Sequence, residues 1–297
     1  MTASDEHAER FTLLRPLLFT IAYEILGSAT EADDVLQDSY LRWATVELTA
    51  VRDTKAYLAQ LVTRQALNTL RSQARRREDY VGPWLPEPLL LDEHDAADDM
   101  VLAESVSMAM LVVLETLTPD ERAVFVLREV FGFSHDEIAD AVGKSTAAVR
   151  QIAHRAREHV HARRRRFEPM NPQQSEQITL QFLTAAATGD LDGLMSMLAP
   201  DVVFTSDSDG KASAARRPIL GADKVARFII GLFRQATPEY RIEGANYNGA
   251  PAIVVYRGEV PESVMMVEIT EGTITNFYAM RNPEKLAAVT VRREISR

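Results

Sequence analysis

Basic and amide side chains in one segment are spaced to lie along one face of a helix. The segment, LTPDERAVFVLREVFGFSHDEIADAVGKSTAAVRQIAHRAREHVHARRRR, covers residues 117–166. Within it, Arg150 and Gln151 are side-chain types that can hydrogen-bond in bidentate fashion to purine edges. The chemistry that they indicate is recognition of base edges in duplex DNA.

Two helices joined by a tight turn must position these side chains. Ser134 and Glu137 form the S-x-x-E pattern of a capping box, which predicts the start of the first helix. Gly143 supplies the turn, because glycine adopts a positive φ without strain. Ser145 can cap the second helix, in which apolar residues recur at helical spacing at Val149, Ile152, Ala153, Ala156 and Val160. The segment therefore resembles a helix-turn-helix.

The other face and the N-terminal flank of the second helix carry the candidate DNA-binding residues of this module, since that end of the helix meets the bases in helix-turn-helix proteins. These residues are Thr146, Ala147, Arg150, Gln151, His154 and Arg155. An ordinary helical hairpin with a solvated basic face remains an alternative for the motif alone.

A long helix is predicted from about residue 54 to residue 77, with a second polar stripe. Its members repeat every three or four residues and therefore share one face: Gln60, Arg64, Asn68, Arg71 and Arg75. Such a face can follow a phosphate backbone and hydrogen-bond exposed bases. A solvated helix surface would have the same pattern.

Two earlier helices are predicted over residues 11–26 and 31–46, the first ended by Gly27 and the second begun by Thr30. In the second helix, a mostly polar set points away from the apolar stripe: Asp34, Gln37, Asp38 and Leu41. Acidic residues near the start of a helix also stabilise its dipole, so Asp34 has a structural alternative to partner binding.

Composition limits the classes of protein to consider. The 297 residues are 46% hydrophobic and include no cysteine, which excludes disulfides and thiolate metal sites. The net charge of −10 argues against a nucleic-acid partner, but residues 64–77 and 145–166 are strongly basic and flank an acidic stretch. We expect a cytoplasmic protein without a membrane segment, metal or cofactor.

Both motifs together resemble extracytoplasmic-function sigma factors. EADDVLQDSYLRW followed by AYLAQLVTRQALNTLRSQARRRE is similar to their region 2, and the helix-turn-helix is similar to their region 4. The resemblance implies that the chain binds core RNA polymerase, at its clamp helices and flap, and promoter DNA at the −35 and −10 elements. An unrelated helix-turn-helix regulator with a ligand-binding domain is the alternative.

Individual residues take their expected roles from this resemblance. Polymerase contacts would come from Asp34, Gln37, Asp38 and Leu41. Contacts to the −10 element would come from Arg64, Asn68 and Arg71. Contacts to the −35 element would come from Thr146, Ala147, Arg150, Gln151 and His154, and Arg75 and Arg155 are further DNA-binding candidates.

The remainder of the chain resembles one subgroup of these sigma factors, which carries a C-terminal SnoaL-like domain of the NTF2-like fold. The resemblance rests on WLPEP in the linker, on SDSDGKASA and on RNPEKL. Helices, a Gly189 turn and strands near residues 253–256, 264–269 and 273–278 fit an α+β domain. An acidic run, LDEHDAADD, follows WLPEP and has the composition of a disordered segment.

The predicted fold class is therefore multidomain: two all-α modules plus an α+β NTF2-like domain with a curved antiparallel sheet. The expected boundaries are region 2 at 8–78, a Pro-rich and acidic linker at 79–107, region 4 at 108–166 and the SnoaL-like domain at 174–290. That domain would regulate the sigma modules in cis, without a separate anti-sigma factor. Its expected regulatory interface comprises Trp84, Leu85, Pro86, Asp207, Asp209, Gly210, Lys211, Asn282, Pro283 and Lys285.

Enzymatic activity of the SnoaL-like domain is the less favoured interpretation. No histidine follows His161, which removes the commonest general base, and Asp201, Asp207 and Asp209 all fit turns. We therefore expect no catalytic residues. A small ligand in this domain and a cyclase or isomerase activity stay open as alternatives.

Overall fold

We describe the protein from a computed structural model. It covers the backbone of residues 3–91, 99–163 and 172–297 and their side chains, except those of residues 3–4, 74–78 and 172–176. Most of the acidic run, residues 92–98, lies outside the described residues. The chain divides into two compact units. The helical unit comprises Met1–Asp79, His94–Arg164 and Arg293–Arg297, and the sheet unit comprises Tyr80–Glu93 and Arg165–Arg292.

Three long helices form the first part of the helical unit: α1 (Ala3–Leu26), α2 (Ala29–Trp43) and α3 (Thr54–Glu78). A 3₁₀ turn at Leu48–Ala50 precedes α3. Gly27, at φ 72°, ends α1, and the Ser28 side chain then accepts a hydrogen bond from the Glu31 N–H to cap α2. The cap predicted at Thr30 is therefore wrong by two residues, because the hydroxyl that follows the glycine turn is already in place.

Short helices complete the helical unit: α4 (Met100–Ser105), α5 (Met108–Leu114), α6 (Pro119–Phe125), α7 (His135–Val142) and α8 (Thr146–Arg163). A π-helical turn at Val126–Val130 follows α6. Capping boxes formed by Thr118 with Glu121 and by Ser134 with Glu137 begin α6 and α7. Gly143, at φ 70°, makes the turn into α8, whose buried residues are those predicted. The helix-turn-helix is confirmed.

The sheet unit combines helices with a mainly antiparallel sheet. Its helices are α9 (Pro172–Thr188), α10 (Leu191–Met197), α11 (Ala222–Arg234) and α12 (Pro283–Leu286). Its longer strands are β2 (Leu198–Asp207), β4 (Tyr240–Tyr247), β5 (Ala250–Arg257), β6 (Val260–Thr270) and β7 (Thr273–Met280). Short strands are β1 (Leu90–Leu91), β3 (Ile219–Leu220) and β8 (Arg292–Arg293). The order across the sheet is β3-β2-β7-β6-β5-β4-β1-β8, with β2 and β7 parallel.

One hydrophobic core joins the helices of the sheet unit to one face of the sheet. Phe182 of α9 lies 5.2 Å from Phe277 of β7 between ring centroids, and Phe204 of β2 lies 5.9 Å from Phe277. Ile229 and Val225 of α11 belong to the same buried cluster. Alternation along β2 places Val202 and Phe204 in this core, so Asp207 at the end of the strand points to the opposite face.

Candidate functional site

The exposed face of α8 carries most of the residues predicted to read DNA. Ala147, Arg150, Gln151, His154 and Arg155 are all exposed, whereas the intervening apolar residues are buried. Gly143 and the capping of α7 fix where this helix begins. The face is therefore a contiguous polar surface at the N-terminal half of the helix, which is the part that enters a major groove in helix-turn-helix proteins.

Two members of that set contact other helices of the helical unit. The Thr146 hydroxyl donates to Asp136 Oδ1 at 2.7 Å, which ties the start of α8 to α7. Arg155 Nε lies 3.6 Å from Glu121 Oε1. Burial would raise the pKa of Glu121, but hydrogen bonds from Thr118 and the Arg155 charge hold it below its ordinary value. Thr146 and Arg155 thus also have structural roles.

Three members of the predicted α3 stripe, Arg64, Asn68 and Arg71, are exposed, and Gln60 is partly buried. Both of these arginines form hydrogen bonds within the helical unit. Arg64 Nη2 donates to the Asp140 backbone oxygen at 2.6 Å, and Arg64 Nε donates to the Ala141 oxygen at 3.4 Å. Asn68 is exposed between Arg64 and Arg71. Arg75 lies in the part of α3 whose side chains the structure does not describe. Arg64, Asn68 and Arg71 therefore form the described part of the predicted stripe, and Arg64 reaches the carbonyl end of α7.

Asp120 completes the contact between α3 and the helix-turn-helix. Its Oδ1 accepts a hydrogen bond from Arg71 Nη2 at 2.6 Å, and its Oδ2 lies 2.9 Å from Lys144 Nζ. Burial raises the pKa of Asp120, but hydrogen bonds from Lys144 and Arg71 outweigh this and lower it. The predicted −10 face of α3 and the predicted −35 module are therefore bound to one another within the helical unit.

A buried polar cluster beneath this contact was not predicted from the sequence. Glu24 of α1 is fully buried and accepts a hydrogen bond from the Ser105 hydroxyl at 2.6 Å. Arg122 of α6, also buried, donates from Nε to the Glu24 backbone oxygen at 2.7 Å and from Nη1 to Glu115 at 2.5 Å. Burial raises the pKa of Glu24 to about 8. Glu24 lies among the apolar residues of α1, and its charge is the only sequence feature that sets it apart from them.

The predicted polymerase-binding residues share one exposed face of α2. Asp34, Gln37 and Asp38 are exposed, and Leu41 is 61% exposed although it is a large apolar residue. The opposite face buries Val35, Leu36 and Trp43. Trp43 also donates from Nε1 to the His7 oxygen at 2.9 Å, which anchors α2 on α1. The α2 face is thus a fixed surface with one apolar and three polar side chains.

In the sheet unit, Asp207 holds the linker segment that contains WLPEP. The buried carboxylate accepts hydrogen bonds from the Tyr80 hydroxyl and, at 2.8 Å, from the Leu85 N–H. Lys285 Nζ lies 2.7 Å from Asp207 Oδ2 and donates to the Leu85 oxygen at 2.6 Å. Its ammonium group also lies 3.1 Å from the centroid of the Trp84 ring, a cation–π contact.

Neighbouring residues extend this cluster, which we call the linker clamp: Tyr80, Trp84, Leu85, Asp207, Asn282 and Lys285. Asn282 Nδ2 donates to the Tyr80 hydroxyl at 2.9 Å, and its Oδ1 caps α12 by accepting from the Glu284 N–H. Burial and the Asp207 carboxylate raise the pKa of Tyr80, so the hydroxyl stays protonated and donates. The linker continues into β1, where the Leu89 N–H donates to Asn248 Oδ1 at 2.8 Å.

The remaining predicted regulatory residues lie at the margin of the clamp. Asp209, at φ 50°, and Gly210, at φ 66°, form the turn expected for them, and Asp209 Oδ1 accepts from the Val81 N–H at 3.2 Å. Lys211 Nζ lies 2.8 Å from both Asp209 and Glu284. Pro86 is buried, whereas Pro283 is exposed as the first residue of α12. Asp207 itself is not a turn residue: it ends β2 and is buried.

Neither a metal cluster nor a membrane helix was found in the described part of the chain. Among residues 3–91, 99–163 and 172–297, no group of three or more His, Cys, Asp or Glu side chains could hold a metal ion. Within the same ranges, no helix is long and apolar enough to cross a membrane.

Comparisons with known proteins agree with this architecture. Residues 11–76 match the model of Sigma-70 region 2, and residues 107–160 match the model of Sigma-70, region 4. ECF RNA polymerase sigma factor SigJ of Mycobacterium tuberculosis is 38% identical over 289 residues, which are 93% of this chain and 91% of that protein. Probable ECF RNA polymerase sigma factor SigI of the same species is 28% identical, with 96% and 97% covered.

A solved structure extends the likeness to the whole fold. The crystal structure of M. tuberculosis SigJ superposes with a TM-score of 0.76 at 33% identity, covering 96% of this chain and 100% of that one. The predicted fold class, helical sigma modules with an α+β domain, is thus confirmed. The chain belongs to the family of extracytoplasmic-function (ECF) RNA polymerase sigma factors.

Proposed function

We propose that this protein binds core RNA polymerase and directs it to promoters that α8 and α3 recognise. The observation that carries the proposal is the exposed face of α8, where Arg150, Gln151 and His154 stand free of the buried apolar stripe. Arg150 and Gln151 can pair with purine edges of a −35 element in the major groove. Arg64, Asn68 and Arg71 supply a basic, amide-bearing platform for bases of the −10 element.

The α2 face fits a protein partner better than it fits DNA. Asp34 and Asp38 would repel phosphates, and the exposed Leu41 provides an apolar anchor of the kind found at protein interfaces. These residues, with Gln37, are our candidates for docking on the clamp helices of the polymerase, and the helix-turn-helix module is our candidate for the flap contact.

The described conformation is a closed one for promoter recognition. Arg64 and Arg71 commit part of their hydrogen-bonding capacity to Asp140, Ala141 and Asp120 of the other module, which restricts how far these side chains can reach towards DNA. Opening of the contact between α3 and the helix-turn-helix would therefore precede engagement of the −10 element. The contact is partly exposed and ionic, so each pair contributes about 1 kcal/mol or less and can open at modest cost.

The linker clamp supports regulation in cis by the sheet unit. Residues 80–91 connect the two DNA-reading modules along the chain, yet Asp207, Lys285 and Asn248 of the sheet unit hold them. Fixing a linker restricts the separations that the modules it joins can adopt. On this proposal the SnoaL-like domain replaces a separate anti-sigma factor, and a small ligand could adjust its hold on the linker.

We also propose that the sheet unit is not catalytic. Aromatic side chains of Phe182, Phe204 and Phe277 fill its interior between helices and sheet. The Asp207 carboxylate is already hydrogen-bonded to the Leu85 N–H of the linker and to Lys285. Glu268 is likewise engaged, since it accepts hydrogen bonds from Asn276 at 2.9 Å and Tyr278 at 2.7 Å.

Binding to core polymerase separates this proposal from a DNA-binding regulator that acts alone. We expect the full chain to bind core enzyme in a co-purification or fluorescence titration. Asp38→Lys with Leu41→Ser should weaken that binding at least tenfold, because it removes the apolar anchor and cancels the net negative charge of the face. Glu9→Lys, an exposed change of equal charge on α1, is the matched control. Equal affinity of both variants would contradict the assignment of the α2 face, and no binding by the full chain would contradict the proposed function.

A further inference from the structure

A cavity in the sheet unit lies beside the linker clamp and is not explained by the sigma-factor function. Its volume is about 220 Å³. Val81, Gly82 and Pro83 of the linker form one wall, and the segment from Ser206 to Arg216 forms the other. One water needs about 10–15 Å³ measured in this way, so the cavity has room for a ligand of several non-hydrogen atoms.

Three serines line this cavity, and one of them has a buried hydroxyl without a hydrogen-bond partner among the described residues. Ser206 is 3% exposed, and its Oγ has no hydrogen-bond partner among the described residues. Leaving a buried hydroxyl unpaired is costly, so such a group in a cavity usually meets a ligand or water. Ser208 and Ser213 also line the cavity. Ser206 belongs to the same strand as Asp207, one residue from the clamp.

The charge of the lining selects the ligand class. Arg216 is the only ionised side chain among the lining residues, and no carboxylate lines the cavity. The nearest carboxylates are neutralised elsewhere, Asp207 by Lys285 and Asp209 by Lys211. An arginine with several hydroxyl donors suits a ligand that is anionic and offers several oxygen acceptors. We infer that this cavity binds a small oxyanion, such as phosphate or the phosphoryl group of a metabolite.

Binding there would strengthen the hold of the sheet unit on the linker, because the two walls belong to these two segments. They already approach closely: a Cβ built on Gly210 would lie 3.3 Å from Val81 Cγ1. A ligand that binds only the docked linker stabilises docking by RT ln(1 + [L]/Kd), so the effect grows with ligand concentration. This regulatory consequence rests on the proposed function, whereas the binding itself does not.

Calorimetric titration of the full chain with sodium orthophosphate, at fixed pH and ionic strength, tests the site. We expect saturable binding of one phosphate that Arg216→Gln weakens about tenfold, the usual effect of losing a charged hydrogen bond. Arg217→Gln is the matched control, since Arg217 is exposed next to Arg216 but does not line the cavity. The control also separates this site from phosphate bound to the basic helices.

Ser206→Ala gives a readout that a purely structural role would not. Removing the unpaired hydroxyl should raise the Tm without phosphate while it weakens phosphate binding several-fold. Hydrogen exchange at the Leu85 and Leu89 amides, which hydrogen-bond to the sheet unit, should slow when phosphate saturates the chain.

Three results would overturn the inference. They are the absence of saturable phosphate binding, equal weakening by Arg216→Gln and Arg217→Gln, and equally tight binding of uncharged glycerol. Phosphate binding with unchanged exchange at Leu85 would overturn the coupling to the linker. None of these results depends on polymerase or promoter binding, so failure of this inference is distinct from failure of the proposed function.

Discussion

At the scale of single residues, two buried charged groups are the most informative. Glu24 is buried with a neutral Ser105 hydroxyl as its side-chain hydrogen-bond donor, although Arg122 is nearby. Asp207 is buried but paired directly with Lys285. The first group therefore favours protonation in the folded state, whereas the second is held as part of an ion pair. Each arrangement leads to a different measurable property.

Glu24 should make the stability of the helical unit depend on pH. Burial raises its pKa from 4.5 to about 8, so between these values the folded unit keeps a proton that the unfolded chain loses. The free energy of unfolding should therefore fall as pH rises from about 5 to 8, by at most about 1.4 kcal/mol per pH unit from this group. Denaturant titrations at several pH values should show that the unfolding free energy of Glu24→Gln changes less with pH. Glu9→Gln, an exposed change on the same helix, should retain the slope; identical slopes in all three proteins would contradict the assignment.

Lys285 should be worth far more than an exposed lysine of the same unit. Lys285→Met leaves the buried Asp207 carboxylate without its cation, a loss that typically costs about 3 kcal/mol of stability. Lys211→Met removes only exposed ion pairs to Asp209 and Glu284 and should cost under about 1 kcal/mol. Urea unfolding of both variants measures the difference. Equal stability losses would mean that Asp207 does not need its partner.

At the scale of elements, we expect the contact between α3 and the helix-turn-helix to control whether the proposed DNA-reading faces are available. Arg64 and Arg71 reach across to α7 and to Asp120 at the start of α6. Their long, exposed side chains can exchange these partners for phosphates or bases. In our proposal, the same two arginines therefore hold the modules together in the closed form and contact the promoter once the modules separate.

Asp120→Asn should shift the helical unit towards separation of α3 from the helix-turn-helix. The variant loses the charge that holds both Arg71 and Lys144. Because the natural chain has no cysteine, dyes can be attached through Arg52→Cys and Ala162→Cys for single-molecule energy transfer. We expect a larger low-transfer population. Glu129→Gln, which removes the 2.6 Å ion pair to Arg157 inside one module, should leave the distribution unchanged. A matching shift in both variants would refute the specific role of Asp120.

Local signals explain which elements were predictable. The helix-turn-helix could be predicted because Ser134, Glu137 and Gly143 act within their own turn of chain. In contrast, α11 and β4 were not assigned, and the docking of Leu85 on Asp207 joins residues 122 positions apart. Asp207 looked like a turn residue, since its neighbours Asp209 and Gly210 do form a turn. Contacts between distant segments leave no periodic pattern in a sequence.

At the scale of the whole molecule, our proposal makes function depend on local charge and on the linker rather than on net charge. The chain carries −10 overall, yet its exposed basic face on α8 can still attract DNA. Residues 80–91 group with the sheet unit although they follow the first sigma module in sequence. The sheet unit therefore holds part of the segment that connects the two sigma modules.

Truncation after Phe167 should change transcription, because it removes every sheet-unit partner of the linker. Trp84→Ala, which removes the ring over Lys285, should change it in the same direction to a smaller extent. Run-off transcription with core polymerase measures both, and binding to core polymerase serves as the control that the truncated chain is folded. Unchanged transcription by the truncated chain would contradict regulation in cis.

The central claim is that this chain gives core polymerase its promoter specificity, and transcription in vitro tests it most directly. The template should carry the region upstream of the protein's own gene, with core polymerase and the full chain as the only proteins. We predict initiation that requires the chain and that falls at least tenfold when Arg150 and Gln151 are replaced by alanine, since each base contact contributes about 1–3 kcal/mol. Replacement of exposed His161, in the C-terminal part of the same helix, by alanine should leave initiation intact. Initiation that is equally strong without the chain, or with Arg150 and Gln151 removed, would contradict the account.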